Sequence, residues 1–253
     1  MPDRLPFDIE CVDALDGVPH GFLGHSGGAY QFGFGGPGDE TVVAKARAGA
    51  ADALIAGALL AAPHQVHSAD VLTVTEAWPD TPTGRPAGDA LVTSARGIVL
   101  GIVTADCGPV LFSDRVAGVI GAAHAGWRGA HADIVENTVC AMEHLGATRA
   151  NIAAAIGPTI AQSSYEVDAP FRAHFAARDD RHFAPAPHRD GSDRWLFSLS
   201  GYIADKLEQS GIDRIYDTAR DTFSHPERYY SYRRAASSGK PNYGRQISLI
   251  ALG

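Results

Sequence analysis

The most constraining feature of the chain is the run Gly97 to Thr104 (GIVLGIVT), which carries no charge and is apolar almost without interruption. A strand with one wet face alternates polar and apolar residues, whereas one that is apolar on both faces has to be covered on both. The segment therefore asks for a sheet with layers above and below it. A sharp turn follows at Asp106-Cys107-Gly108-Pro109, Val110-Leu111-Phe112 resumes extended structure until Asp114-Arg115, and Val116 to His124 forms the next run. These segments read as adjacent strands.

The layers that cover such a sheet are visible as helical patterns. Thr41 to Leu60 is rich in Ala, Leu and Val without proline, and reads as a helix capped by Gly38-Asp39. Beyond Trp127, residues Ile134, Val135, Thr138, Val139, Met142 and Leu145 recur at spacings of three and four, with Gly146 placed to end the helix. Ser198 to Gln209 repeats the pattern with Leu199, Tyr202, Ile203 and Leu207 inward. Val71 to Thr75, Asn151 to Ile156 and Arg245 to Leu252 read as further strands, and the polar stretch Ala176 to Asp193, with Pro185 and Pro187, reads as a surface loop. Strands and helices are intermixed without the steady alternation of a barrel or a doubly wound sheet, so a mixed-sheet α/β or α+β fold follows. With 253 residues and no linker in view, one domain spanning 1–253 is the expectation.

Charge and cysteines narrow the partners. The sum of 21 Lys+Arg and 29 Asp+Glu is −8, which argues against a broad electrostatic grip on nucleic acid or an anionic membrane and points to a small-molecule partner. Cys11, Cys107 and Cys140 are too few and scattered for a disulfide framework. Met1 to Glu10 has no apolar core of a secretory signal and no run is long enough for a membrane span, so the expected location is the cytoplasm.

Three segments place metal-ligating side chains at turns: His64-Gln65-Val66-His67, Thr104-Ala105-Asp106-Cys107, and Ala123-His124-Ala125-Gly126-Trp127-Arg128-Gly129. Two imidazoles and a thiolate suit Zn²⁺, and three protein ligands leave a fourth position for water or substrate, the arrangement of catalytic rather than structural zinc. Each residue also has a plainer reading: Cys107 as a small buried hydrophobe, His124 as a satisfied core histidine, His64 and His67 as surface polar residues. A glycine string at Gly33 to Gly38 fits a dinucleotide fingerprint only in letters, because no convincing strand precedes it.

The strings QVHSADVLTV, GDALVTSARGIVLGIVTADCGPVLF, GVIGAAHAGWRGAHADIVENTV, IGPTIAQSSYEV and YYSYRR…GRQISLIAL, in that order, resemble the YfiH/laccase-domain family. The resemblance implies an α+β fold in four layers, α/β/β/α, with mixed sheets and a kinship to cysteine hydrolases. It also implies a metal held by the histidine of Q-V-H, the cysteine of A-D-C and the histidine of H-A-G-W-R-G, here His67, Cys107 and His124. Family members are described as polyphenol oxidases, as purine nucleoside phosphorylases with adenosine deaminase activity, and as peptidoglycan-editing factors.

The departures from the family pattern fall around the substrate. Where the family has T-R-x-G-G this chain has Gly24-His25-Ser26-Gly27-Gly28, so an arginine is replaced by His25 and a phosphate contact with it. S-L-N-x-G becomes Gln31-Phe32-Gly33-Phe34-Gly35, the usual Cys-Thr becomes Asp221-Thr222, and A-D-C-L-P becomes A-D-C-G-P, with Gly108 expected to leave room beside the metal.

The leading reading is a zinc-dependent purine nucleoside phosphorylase taking a nucleoside and phosphate. Phosphorolysis needs cations to hold phosphate and a donor to the departing purine, and Arg47, Arg128 and Arg233 are the candidate clamps. The basic stretch Arg220 to Arg245 offers a further anion site, and Tyr229, Tyr230 and Tyr232 a platform for the base. A deaminase side activity would use Asp106 or a neighbouring histidine as acid and base, although the nucleobase-deaminase signature is absent. The alternatives are a copper-loaded polyphenol oxidase, since copper outcompetes zinc on equal ligands, a hydrolase with Cys107 as nucleophile and His124 as base, and a non-catalytic protein with a structural metal.

Overall fold

In a computed structural model of the protein, which describes residues 7–187 and 193–253, the chain forms two large sheets and one small one. The five-stranded sheet runs in the order β1 (Ile9–Glu10), β2 (His20–Leu23), β14 (Gln246–Ala251), β6 (Ile98–Thr104) and β3 (Leu59–Ala61). The six-stranded sheet runs β13 (Arg214–Asp217), β9 (Ala153–Ile156), β7 (Gly108–Asp114), β8 (Val119–Ala125), β5 (Ala90–Thr93) and β4 (Val71–Thr73). Both are mixed: β3 is parallel to β6, β13 to β9 and β4 to β5, and the remaining pairs are antiparallel. The small antiparallel sheet consists of β10 (Glu166–Asp168), β12 (Arg194–Phe197) and β11 (Phe183–Pro185).

The demand made by the apolar run is met by alternation across the pleat. From β6, Ile98, Leu100 and Ile102 enter one core cluster and Val99 and Val103 another. From the second sheet, Leu111, Ile120 and Ala122 join the first of these, while Val110, Phe112, Val119 and Ala123 point to a third. The shared cluster is the seam where the two sheets pack face to face. Each fully buried aliphatic side chain there is worth roughly 1.5–3 kcal/mol over exposure. Helix α1 (Glu40–Leu54) covers the outer face of the five-stranded sheet with Ala46, Ala50 and Ala51. Helices α3 (Ile134–His144) and α5 (Leu199–Gln209) cover the other outer face with Val135, Val139, Met142, Ile203 and Leu207. Helix, sheet, sheet and helix are the four layers of the expected α+β sandwich. Short helices α2 (Trp127–His131), α4 (Ala169–Arg172) and α6 (Tyr232–Ser237) lie in the connections.

Several expectations change in detail. The helix anticipated over Thr41 to Leu60 stops at Leu54: Asp39 caps its start by accepting from Thr41 N and Val42 N, but Gly57 takes a left-handed φ of 74° and Leu59 begins β3. Strands β6 and β7 are not neighbours. The turn between them crosses from one sheet to the other, and β7 pairs instead with β8 and β9. The stretch Ala176 to Asp193, expected as loop, contributes β11, whose Phe183 packs with Phe171, Phe175 and Phe197; its residues 188–192 lie outside the described residues, as do residues 1–6 of the N-terminal stretch considered for a leader. Among the described residues no helix is long and apolar enough to cross a membrane.

Candidate metal centre

The crossover between the two sheets is where the chemistry collects. Asp106 adopts φ 86°, a conformation that L residues avoid, and is held in it from two directions. Its carbonyl oxygen accepts from Ile160 N at 3.0 Å and Thr159 Oγ1 at 2.6 Å. Its carboxylate accepts from Thr222 Oγ1 (2.6 Å), Ser231 Oγ (3.0 Å) and the backbone N–H of Arg233 (2.6 Å). Burial pushes its pKa up, and those three donors work against the rise. Both oxygens are engaged within the protein, Oδ1 by one donor and Oδ2 by two. These bonds give it a positioning role, fixing the turn that presents Cys107, and it also lines the cleft beside that residue.

The two histidines are organised by a single residue that the sequence did not single out, Asp89 at the mouth of β5. It is fully buried. Its Oδ1 accepts from His67 N at 3.0 Å, and its Oδ2 from Val66 N at 3.1 Å, Ser68 N at 2.6 Å and Ser68 Oγ at 3.1 Å. Three successive backbone N–H groups on one carboxylate hold His67 at φ 62°, another left-handed non-glycine position. The same Oδ1 lies 2.8 Å from His124 Nδ1, and Asp89 O accepts from His124 N at 2.7 Å. The ring of His124 is thereby fixed with Nε2 free. Burial would raise the Asp89 pKa, but His124 and the Ser68 and Val66 N–H groups outweigh it and bring it to about 2.

One ligating atom each from His67, Cys107 and His124 lie within 4.8 Å of one another, and among the described residues this is the one such group. Burial on its own raises the Cys107 thiol, yet the charge of His124 and hydrogen bonds from both histidines bring it below its ordinary value. In turn burial disfavours the His124 cation, and the negative charges of Cys107 and Asp89 raise its pKa regardless. The site is biased toward thiolate and imidazolium, so a cation arriving there displaces a proton already shared between ligands. A His₂Cys set with a carboxylate behind one imidazole fits zinc by its chemistry. Gly126 completes it: a Cβ there would stand 2.9 Å from Cys107 Sγ and 3.5 Å from His67 Cδ2. Gly126→Ala is expected to weaken metal binding by about tenfold or more, measured by chelator competition; an unchanged affinity would contradict the cleared space.

His67 and Cys107 stand between two lobes of one cleft. One lobe, of about 180 Å³, is lined by Phe34, His64, Gln65, Arg85, Tyr243 and Arg245 among others. The other, of about 160 Å³, is lined by Trp127, Arg128, Ile160, Tyr165, Tyr232 and Arg233 among others. Gln65 holds the floor of the first lobe by pairing its side-chain amide with Val103, donating to the carbonyl at 2.8 Å and accepting from the N–H at 2.9 Å, where β3 has ended.

The structure brings some expected residues here and not others. Arg128 and Arg233 line the second lobe, stacked on Trp127 at 4.9 Å and Tyr165 at 5.1 Å. Arg47 does not reach the cleft. It is fully buried, its Nε and Nη2 grip Asp80 at 2.6 and 2.7 Å, and Nη1 donates to Phe32 O at 2.8 Å, so the clamp expected of it is spent within the protein. Of the three tyrosines only Tyr232 lines a lobe, whereas Tyr229 is buried. His25 lines neither lobe: its Nδ1 accepts from Gly28 N and its Nε2 donates to Pro226 O, pinning two loops together. Asp221 likewise serves the loop after β9, accepting from Ala161 N, Phe223 N and Ser164 Oγ. Gly108 makes room for the helix layer rather than the metal, since its absent Cβ would meet Ile203 Cδ1 at 2.5 Å.

Fold and centre together define a class: mixed-sheet α+β sandwiches with a His₂Cys group able to hold a metal at the crossover between their sheets. The chain belongs to the family described as multi-copper polyphenol oxidoreductase laccase, whose model matches residues 23–253. It is similar to a purine nucleoside phosphorylase of Deinococcus radiodurans, 37% identical over 242 residues covering 93% of this chain and 89% of that one. A purine nucleoside phosphorylase of Rickettsia conorii is 33% identical over 189 residues, 75% of this chain and 76% of its own. The crystal structure of the Bacillus licheniformis hypothetical protein YfiH aligns with a TM-score of 0.82 at 25% identity, covering 99% of this chain and 100% of that chain.

Proposed function

We propose that the protein is a zinc-dependent purine nucleoside phosphorylase working at the His67, Cys107 and His124 centre. The observation that carries the reading is the placement of two metal ligands on the wall between two lobes that each hold a pair of arginines and aromatic rings. A nucleoside and an oxyanion can then meet from opposite sides. The names of the relatives support the same reaction class.

In that reaction a phosphate oxygen bonds C1′ as the C1′–N9 bond breaks, the electron pair leaves on the purine, and the purine takes up a proton. His67, Cys107 and His124 would hold the zinc ion, which when bound would supply Lewis-acid charge stabilisation worth several kcal/mol. The chain's own residues do the rest. Tyr165, Trp127 and Tyr232 line the lobe for the purine and ribose, the arginines hold negative charge, and Asp106 and Asp89 keep the ligands aimed at the cleft. The described residues offer one metal-ligating group, which supports single-ion chemistry over multinuclear dioxygen reduction.

The test is incubation of zinc-loaded protein with adenosine or inosine, with and without phosphate. Free base and ribose 1-phosphate are expected in equal amounts and only with phosphate, and chelation is expected to cut the rate by at least about 100-fold. Absence of both products sinks the reading. Turnover that survives chelation points instead to Cys107 acting as a nucleophile.

A further inference from the structure

The arginine lobe holds an imbalance that the fold does not resolve. Arg47 and Arg85 both stand over the ring of Phe34, each at 4.9 Å, and Arg245 is close enough to bear on the charge of Arg85. Against these three guanidiniums Asp80 is the carboxylate in the group, and it is gripped at both oxygens by Arg47. Arg85 donates Nε to Thr81 O and Nη1 to Pro63 O, both neutral acceptors, and its Nη2 makes no hydrogen bond among the described residues. Arg245 is more exceptional. It rests on the ring of Tyr243 at 4.7 Å, its Nη1 is buried, and that nitrogen has no hydrogen-bond partner.

A buried donor without an acceptor is rare in folded proteins, and here the backbone has been cleared for it. A Cβ at Gly33 would stand 2.6 Å from Arg245 Cδ and 2.8 Å from its Nη1, so a side chain at that position requires Arg245 to shift. Burial, and then repulsion from Arg47 and Arg245, push the Arg85 pKa below its ordinary value, the mark of positive charge crowded together without enough negative charge between. In the other lobe Arg128 and Arg233 stack on aromatic rings as well, but Arg233 Nη1 is satisfied by Glu166 O at 2.7 Å, and among the described residues neither has a buried nitrogen without a partner.

We propose that Arg85 and Arg245 form the phosphate subsite, a fork of free guanidinium N–H groups that takes a phosphate dianion on the Phe34 side of the ligand wall while the nucleoside occupies the Trp127 and Tyr165 side. The assignment rests on the phosphorylase reading for its substrate but not for its anion. Guanidinium matches a phosphate edge with two parallel hydrogen bonds, and the dianion returns the lobe to near neutrality.

The experiment is calorimetric titration of the zinc-loaded protein with inorganic phosphate, paired with steady-state kinetics in which phosphate and inosine are varied separately. Arg85→Met and Arg245→Met are each expected to weaken phosphate binding by about 10–100-fold, with the inosine KM moving by no more than about twofold. Arg245→Lys, which keeps charge but not the fork, is expected between wild type and Arg245→Met. Thermal melts of each variant identify any that fails to fold, in which case its partner arginine decides. Phosphate binding by wild type that is lost in the Arg245 variants, with no phosphorolysis in any protein, supports the subsite and removes the phosphorylase reading. Phosphorolysis with an unchanged phosphate KM in both Arg85 and Arg245 variants overturns the subsite and leaves the phosphorylase reading standing. No phosphate binding by wild type, or a loss confined to Arg128 or Arg233 variants, also overturns the subsite.

Discussion

Cys107→Ser protein is expected to fold but to bind zinc at least about 100-fold more weakly and to lose phosphorolysis by a similar factor or more. Serine keeps the size of the side chain and discards what the surroundings have prepared. Although burial alone would keep the thiol protonated, His124 and His67 pull it toward the thiolate, so the ligand atom is charged and soft before any cation arrives. An alcohol in the same position stays protonated and offers a neutral, hard oxygen. The scaffold has little stake in the sulfur: the turn that carries Cys107, itself partly buried, is fixed by Asp106 through the Thr222, Ser231 and Arg233 bonds. Metal content by elemental analysis, zinc affinity by chelator competition and the melting temperature of the metal-free proteins check the three parts separately. A serine variant that keeps its zinc but loses turnover would transfer the decisive role from metal ligation to thiol nucleophilicity, and one that keeps both would remove Cys107 from the site.

What the sequence reveals of this arrangement follows physical range. Strand β6 and helices α3 and α5 are legible because their signals are local: two covered faces in one run, and apolar residues at helical spacing. The three ligands are legible because their motifs are long and resemble a family. That β6 and β7 lie in different sheets is not legible, since an apolar run followed by a tight turn and another apolar run looks the same whether the chain folds back or crosses over. The extent of α1 is misjudged because Ala-rich sequence favours helix through residue 60, while pairing of Leu59 to Ala61 with β6 is decided by tertiary contact. Arg47 illustrates the limit for charged groups. Its position in a matching segment marks it as important, but its partner Asp80 is 33 residues away in a proline-rich loop, and without that partner a structural arginine cannot be told from a substrate clamp. Arg85 sits in the same loop with no motif around it, and only the fold brings it beside Arg245.

Asp89 is the residue whose loss should travel furthest, because both imidazoles depend on it. In Asp89→Asn one carboxylate oxygen becomes an amide NH₂, a donor facing donors. Placed at Oδ2 it opposes the N–H groups of Val66 and Ser68, so two of the three contacts that hold the His67 turn at positive φ are lost while His67 N keeps Oδ1. Placed at Oδ1 it opposes His124 Nδ1, which then has to accept a hydrogen bond, so the ring's proton moves to Nε2 and blocks the ligand atom. Either orientation lowers zinc affinity, by about 10–100-fold on the scale of other carboxylates that back metal-binding histidines. Asp89→Ala adds a cavity and leaves four donors without their acceptor, the buried His124 Nδ1 among them, and removing one member of a buried pair such as Asp89 and His124 costs about 3–5 kcal/mol. The pH dependence has a definite sign. A carboxyl with a folded pKa of about 2 stabilises the protein fully above the ordinary carboxylate value of about 4, and that contribution disappears as pH falls through the interval between them. Urea unfolding of wild type and Asp89→Asn between pH 7 and pH 2, followed in metal-free protein, should therefore show a gap in stability that narrows on acidification. A gap that stays constant with pH, or an asparagine variant with undiminished zinc affinity, would mean that the histidines are aligned by the surrounding backbone and that Asp89 only fills space behind them.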